Sequence, residues 1–189
     1  VGPRVETECS CTFVRAEAEQ GVRREHVPAQ RPAAGDPLEL TELLERIDPR
    51  IAPGETVAVV AASGGGKSTL AALLAGFLSP DEGSVSLDGV DVGEASLHDL
   101  RGAVRLVEQE PFLFRGTLWE NLVYGKTDAT VEETIAASRA GNSHDLVMKQ
   151  MYAYDTWVGE RGARLSGGER QRLSIARAIL CEPRILILD

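Results

Sequence analysis

The hydrophobic and polar positions of the chain predict short buried strands separated by helices. The run from Thr56 to Val60 is apolar and β-branched, as expected of a strand that is buried on both faces. Val104 to Val107 has the same character, and so does the run from Arg184 to Leu188. Strands of this kind between helical segments indicate an α/β fold.

Apolar residues at helical spacing follow Lys67 as far as Phe77, and the pattern is helical again from Thr117 to Tyr154. Ser166 is followed three residues later by Glu169, which is a capping box, so a helix should begin there and run to Leu180. Shorter signals predict a helix over Leu97 to Arg101, and a strand over Ser84 to Leu87 that ends in a hairpin turn at Asp88-Gly89.

Residues 1–37 have no sustained period and contain four prolines but only one aromatic residue, Phe13. We expect this segment to be poorly ordered. Residues 38–189 form the predicted folded domain, with residues 38–108 and 173–189 as its core and residues 109–172 as a helical subdomain. Pro49 interrupts a possible strand before the turn at residues 52–55.

Composition narrows the classes of function. The 189 residues carry a net charge of −9, which argues against a nucleic-acid partner because such a surface needs clustered basic residues. No apolar run approaches the roughly 18 to 20 residues of a membrane span, and the first residues do not resemble a signal peptide. Cys9, Cys11 and Cys181 do not form a disulfide framework and fit a reducing compartment.

The loop between the first strand and the first helix carries the clearest chemistry. Its sequence SGGGKST matches all but the first position of the pattern G-x-x-x-x-G-K-[ST], in which glycine N–H groups surround phosphates, lysine reaches the β- and γ-phosphates and the hydroxyl holds Mg²⁺. Ala61 stands where the first glycine of the pattern belongs, and we expect it to be strained if its φ is positive. The predicted nucleotide-binding residues here are Ser63, Gly64, Gly65, Gly66, Lys67, Ser68 and Thr69.

Three further features of the sequence are typical of phosphate-binding sites. Gln109 follows a predicted strand at its carboxyl end, where open α/β sheets place ligand groups. The stretch LSGGE has two glycines in the first turn of a helix, so its N–H groups are open to an anion. Asp189 ends a buried strand and could hold a Mg²⁺ water.

Together these motifs resemble the nucleotide-binding domain of an ABC transporter, over roughly Leu38 to Asp189. SGGGKST resembles the Walker A loop, VEQEPFLF the Q-loop around Gln109, LSGGE the signature motif and RILILD the Walker B strand. TWVGERG (156–162) is similar to the X-loop of exporters, and FRGTLWENL (114–122) is also similar to the exporter pattern.

The resemblance implies a P-loop NTPase fold of the ABC ATPase kind, with a mainly parallel sheet, a helical subdomain and a small N-terminal antiparallel β part. It implies a head-to-tail dimer of two nucleotide-binding domains, identical or not, that encloses ATP and Mg²⁺. Ser166, Gly167, Gly168 and Glu169 would contact the nucleotide of the partner domain. Ser68, Gln109 and Asp189 would hold Mg²⁺, the last through water, and Glu160 would contact transmembrane domains at the cytoplasmic face of the cell membrane.

The chain departs from the family pattern in ways that bear on activity. It ends at Asp189, one position before the glutamate that polarises water in the family, so no catalytic residue is assigned and the C-terminal strands are expected to be missing. No aromatic residue lies between Ala33 and Leu44, where the family stacks a tyrosine on adenine. We therefore expect ATP hydrolysis by this chain alone to be weak or absent.

Three alternatives stay open at this point. A soluble ABC ATPase that acts on nucleic acid or ribosomes is disfavoured by TWVGERG and by the acidic balance. A P-loop small-molecule kinase would leave LSGGE unexplained. An inactive product of a decayed gene is the third alternative, favoured by the unusual start and by the departures from the motifs.

Overall fold

The computed structural model describes residues 9–16, 20–26, 44, 47–159 and 162–189. Their side chains are described from residue 44 onward. The chain divides into two compact units, residues 1–101 with 187–189, and residues 102–186. These bounds differ from the domain bounds predicted from the sequence, which remain a prediction.

The first unit is built on a strand that leads into the glycine-rich loop. Its strands are β1 (Cys9–Ala16), β2 (Gln20–His26), β3 (Glu55–Ala62), β4 (Ser86–Leu87) and β5 (Val90–Asp91), and its helices are α1 (Lys67–Leu74) and the greater part of α2 (Leu97–Ala103). The strand predicted over residues 56–60 is thereby confirmed, since β3 contains it.

Strand β3 lies between β1 and β2. It pairs antiparallel with β1, with Cys9 opposite Ala62, and parallel with β2, with His26 opposite Val60. Strands β1 and β2 lie within residues 1–37, and a sequence pattern that reports side-chain burial does not reveal such backbone pairing. Poor order of residues 1–37 as a segment stays a prediction.

The core of the first unit lies where α1 packs on β3. Val59, Ala61 and Leu70 are buried together, with Leu44 and Ile47 partly buried against them. The hairpin β4–β5 turns through Asp88 and Gly89, both at positive φ, as the Asp-Gly pair predicted.

The second unit is mainly helical. It contains β6 (Val104–Val107), α3 (Leu118–Val123), α4 (Val131–Ala140), α5 (His144–Met148), a 3-10 helix (Ala153–Asp155) and α6 (Gly167–Leu180). The last strand, β7 (Ile185–Leu188), begins in this unit, and its final two residues belong to the first unit. The predicted helical region after residue 117 is therefore confirmed as several short helices.

The core of the second unit is formed by α3, α5 and α6 with the segments between them. Its buried members are Leu113, Leu118, Leu122, Leu146, Val147, Val158, Leu165, Leu173 and Ala176. Helix α4 approaches α6 closely at Gly141, where an added Cβ would lie 2.7 Å from the backbone nitrogen of Ala176. In the ranges described above, no helix has both the length and the apolar character needed to cross a membrane.

Candidate nucleotide site

The loop between β3 and α1 has the backbone conformation that its glycines allow. Gly64 and Gly66 both have φ of 77°, in the left-handed region that costs other residues about 1–2 kcal/mol. The N–H of Gly65 donates to the carbonyl of Ala62 at 3.0 Å, which closes a tight turn. The glycines are therefore required by the path of the loop.

Lys67 is held at the base of this loop. It is buried, and its Nζ donates to the carbonyl oxygens of Ala61 and Ala62, at 3.1 and 3.0 Å. An ammonium group that is removed from water needs such acceptors. The two carbonyls fix a positive charge beside the turn of the loop.

The start of α1 is suited to an anion. Gly66 is its N-cap residue, no side chain caps the helix, and its first turn contains no acidic residue. The first N–H groups of a helix lack intrahelical partners and lie at the positive end of the helix dipole. The start of α1 therefore keeps its attraction for negative charge.

The residues present fit a triphosphate and its metal. A Cβ added at Gly64 would meet no atom within 4 Å, so the space beside the loop is open. Ser63, Gly64 and Ser68 are exposed, and a serine hydroxyl at the position of Ser68 is a hard oxygen ligand of the kind that Mg²⁺ accepts. Lys67 and the N–H groups of the loop supply the donors for phosphate oxygens.

Ala61 is not the strained residue that the sequence suggested. It is the penultimate residue of β3, is 1% exposed, and is absent from the described non-glycine residues that have positive φ. A strand conformation suits alanine, and the positive φ values of the loop lie at Gly64 and Gly66. The condition for strain, a positive φ, is therefore not met at this position.

The start of α6 has a different arrangement. Glu169 Oε2 accepts from the backbone N–H of Ser166 at 2.7 Å and from the Ser166 hydroxyl at 2.9 Å, and the Glu169 N–H donates back to that hydroxyl at 3.4 Å. The predicted capping box is confirmed. The Ser166 N–H and hydroxyl hold the pKa of Glu169 below its usual value.

Gly167 and Gly168 form the first turn of α6 and are exposed. A Cβ added at Gly168 would meet nothing within 4 Å, and one at Gly167 would only reach the end of Arg170 at 4.0 Å. The backbone of this turn is therefore open to a ligand from outside the chain.

The other predicted positions fall in different places. Gln109 is exposed after β6 in the second unit, whereas Asp189 follows β7 and belongs to the first unit, together with the loop of Lys67. Thr69 is half-buried in α1. Glu160 lies outside the described residues. The structure thus groups residues 63–69 in one unit and Ser166 to Glu169 in the other.

Sequence reasoning missed several polar residues that hold the second unit together. Asn121 is 2% exposed, accepts from the Phe114 N–H at 2.7 Å, and donates to the carbonyls of Phe114 and Thr117, each at 2.9 Å. Capping boxes also begin α3 and α4, at Thr117 with Glu120 and at Thr130 with Glu133. The T-x-x-E spacing of both was visible in the sequence.

Comparison with known proteins agrees with this geometry. The family model described as "ABC transporter" matches residues 44–189. ABC transporter B family member 2 of Dictyostelium discoideum is 48% identical over 136 residues, which are 72% of this chain and 10% of that protein. ABC transporter B family member 19 of Arabidopsis thaliana is 51% identical over 136 residues, 72% of this chain and 11% of that protein.

An ATP-dependent lipid A-core flippase of Thiobacillus denitrificans is 50% identical over 154 residues, 81% of this chain and 27% of that protein. The chain thus spans about a tenth to a quarter of the length of these relatives. The range matched by the family model, residues 44–189, includes the loop of Lys67, the start of α6 and Asp189. The chain belongs to the ABC transporter family, as a nucleotide-binding domain of the exporter type.

Proposed function

We propose that this chain binds Mg-ATP through residues 63–69 and couples nucleotide binding and hydrolysis to transport by transmembrane domains. The observation that carries this proposal is the loop between β3 and α1. It combines two left-handed glycines, a buried lysine and a helix start without acidic residues. These are the features that favour a triphosphate over other ligands.

Each group of the loop has its own part in binding. Lys67 places a positive charge beside the phosphates, the loop N–H groups donate to phosphate oxygens, and the Ser68 hydroxyl holds Mg²⁺. Bound Mg-ATP supplies the phosphoryl group whose transfer to water releases free energy. Asp189, in the same unit as this loop, is the proposed additional Mg²⁺ contact, through a water molecule. The Mg²⁺ contact of Gln109 stays a prediction from the sequence.

A second domain completes the proposed site. Ser166, Gly167 and Gly168 would contact the nucleotide held by the partner domain, in a head-to-tail dimer. The exposed, open first turn of α6 supports this assignment. Closure on ATP and opening after hydrolysis would then form a two-state interface that transmembrane domains can follow.

Glu160 is the proposed contact with these transmembrane domains, and the site of action is the cytoplasmic face of the cell membrane. A crosslinker placed at residue 160 is expected to capture a membrane protein. Capture of RNA instead would contradict the transport proposal and favour a soluble ABC ATPase.

The direct test of nucleotide binding is titration of the chain with Mg-ATP, in the natural sequence and in Lys67→Met. Loss of a hydrogen bond from a charged donor costs about 1.5–3 kcal/mol, so we expect the dissociation constant to rise by about tenfold or more. Lys149→Met, at an exposed lysine after α5, is the matched control and should bind normally. Circular dichroism of each variant checks the fold.

Two results would contradict the proposal. One is a folded natural chain without affinity for Mg-ATP, which would agree with the inactive-product alternative. The other is a folded Lys67→Met variant that binds Mg-ATP as tightly as the natural chain does.

A further inference from the structure

The two strands that flank β3 carry residues of a kind that binds metal ions. Strand β1 contains Cys9 and Cys11, and strand β2 ends at His26. Thiolate sulfur and imidazole nitrogen are the commonest protein ligands of zinc. None of these three residues belongs to the proposed nucleotide site.

The register of the sheet brings the three residues to the same end of β3. Cys9 stands opposite Ala62, and Cys11 stands opposite Val60, in the antiparallel pair with β1. His26 stands opposite Val60 in the parallel pair with β2. All three are therefore beside the last three residues of β3, where the chain enters the glycine-rich loop.

The three residues also share one face of the sheet. Residues directly opposite each other on neighbouring strands lie on the same face, and the two faces alternate along each strand. The cysteines and His26 are therefore on the face of Val60 and Ala62, which are half-buried. Val59 and Ala61 are on the other face, where they are buried with a leucine of α1.

The spacing of the two cysteines favours a shared metal ion over a disulfide. A strand rises about 3.3 Å per residue, so Cα atoms two positions apart are separated by about 6.6 Å. This is close to the upper limit of about 6.8 Å for a disulfide, and Cβ vectors two positions apart on a strand run parallel rather than towards each other. Two thiolates at this spacing can bind one zinc ion, with bonds of about 2.3 Å.

His26 has the position needed for a third ligand. Neighbouring strands are about 4.8 Å apart, so two spacings, about 10 Å, separate the backbones of Cys11 and His26. A cysteine and a histidine side chain, with two metal–ligand bonds of about 2.0–2.3 Å, can span this separation. Two sulfurs and one imidazole nitrogen suit zinc, whereas Mg²⁺ prefers oxygen ligands.

We propose that Cys9, Cys11 and His26 form a zinc site at the end of β3 that leads into the glycine-rich loop. The bound ion would join β1 to β2 across β3, and its fourth position would be left to water or another ligand. Among the side chains described, from residue 44 onward, no three of His, Cys, Asp and Glu lie close enough to hold a metal ion.

The test is titration of the whole chain with Co²⁺, a spectroscopic probe for zinc sites, under reducing conditions and without nucleotide. Cobalt–thiolate bonds absorb in the ultraviolet, whereas cobalt bound only to oxygen does not. We expect this absorption in the natural chain and its disappearance when Zn²⁺ is added, because Zn²⁺ binds such ligands more tightly than Co²⁺ does.

Loss of one ligand should weaken metal binding strongly. Cys9→Ser, Cys11→Ser and His26→Ala should each raise the dissociation constant for Co²⁺ by about a hundredfold, roughly the share of one ligand in the affinity of a structural zinc site. Cys181→Ser is the matched control, because it removes the remaining cysteine of the chain and leaves β1 and β2 unchanged. It should keep the cobalt–thiolate absorption and the natural affinity.

Three results would overturn the zinc site. The first is a natural chain that shows no cobalt–thiolate absorption, a result that does not depend on whether any variant folds. The second is an absorption that is lost in Cys181→Ser but kept in Cys9→Ser and Cys11→Ser. The third is an unchanged affinity for Co²⁺ in His26→Ala, which would exclude the third ligand.

Discussion

The two helix starts that the sequence assigns to a triphosphate are built in opposite ways. Helix α1 begins at a left-handed glycine, with no side-chain cap and no acidic residue in its first turn. Helix α6 begins at Ser166, whose N–H and hydroxyl both donate to the carboxylate of Glu169. The first helix start has no side-chain acceptor of its own, whereas at the second the N–H and hydroxyl of Ser166 already donate to Glu169.

This difference teaches that a glycine-rich helix start does not have a single meaning. Near Lys67, the glycines are needed because the loop passes through positive φ at Gly64 and Gly66. At α6, Gly167 and Gly168 are ordinary helical residues, and their value is the open surface that they leave. Gly64 and Gly66 are required because the backbone has positive φ at both positions. Gly167 and Gly168 instead leave the backbone of the first turn of α6 uncovered by side chains.

The largest expected effect comes from Gly66→Ala. Because φ at this position is 77°, alanine should destabilise the chain by about 1–2 kcal/mol and also weaken Mg-ATP binding. Chemical denaturation and nucleotide titration measure the two effects. An alanine variant as stable as the natural chain would show that the loop does not need a left-handed residue here, and would remove the contrast with α6.

The next effect concerns the capping box of α6. Ser166→Ala removes the N-cap hydroxyl and should lower the free energy of unfolding by about 1 kcal/mol, measured by chemical denaturation at pH 7.

Glu169→Gln tests whether the charge of the capping carboxylate contributes to stability. The carboxylate is stabilised by hydrogen bonds in the folded state, so its folded pKa lies below its unfolded pKa. Its contribution is therefore present above the unfolded pKa near 4.5 and lost as the pH falls through the folded value.

The natural chain should thus be more stable than Glu169→Gln at pH 7, and the difference should shrink below pH 4.5. Glu132→Gln, at an exposed first-turn glutamate of α4, serves as the control for general charge effects. A difference that stays constant between pH 7 and pH 4 would show that the charge of Glu169 does not contribute to the cap.

The smallest expected effect has the opposite sign. Gly168→Ala places a methyl group in open space within a helix and should stabilise the chain by about 0.5–1 kcal/mol. In a dimer that closes on ATP, the same methyl group should hinder close approach of the phosphates. Destabilisation of the chain by Gly168→Ala would indicate that the start of α6 resembles that of α1 after all.

Much of the fold follows from local pattern. The positions of β3, β6, β7 and α6 were visible because buried strands and capped helices leave short-range signals. The turn at Asp88-Gly89 was visible for the same reason, since few residue pairs accept two positive φ values. Strands β1 and β2 were missed because they are ordered by pairing with β3 rather than by an alternating pattern of their own.

The features of the candidate site also fall into two groups, those that the sequence predicts and those that it does not. The loop of Lys67 and the capping box of Ser166 were predicted from adjacent residues. Three features were not predicted: the φ of Ala61, which is not positive, the carbonyl partners of Lys67, and the contact of Arg177 with Phe112. Each of these depends on where a backbone segment lies after folding.

The sequence by itself therefore determined the family, the glycine-rich loop before Lys67 and the helix that starts at Ser166, because these are set by residues within a few positions of one another. Only the tertiary structure decided that β3 lies between β1 and β2 and that Arg177 holds the chain after Gln109. Those contacts join residues far apart in the chain, and they are hydrogen bonds that form only after folding has brought the two segments together.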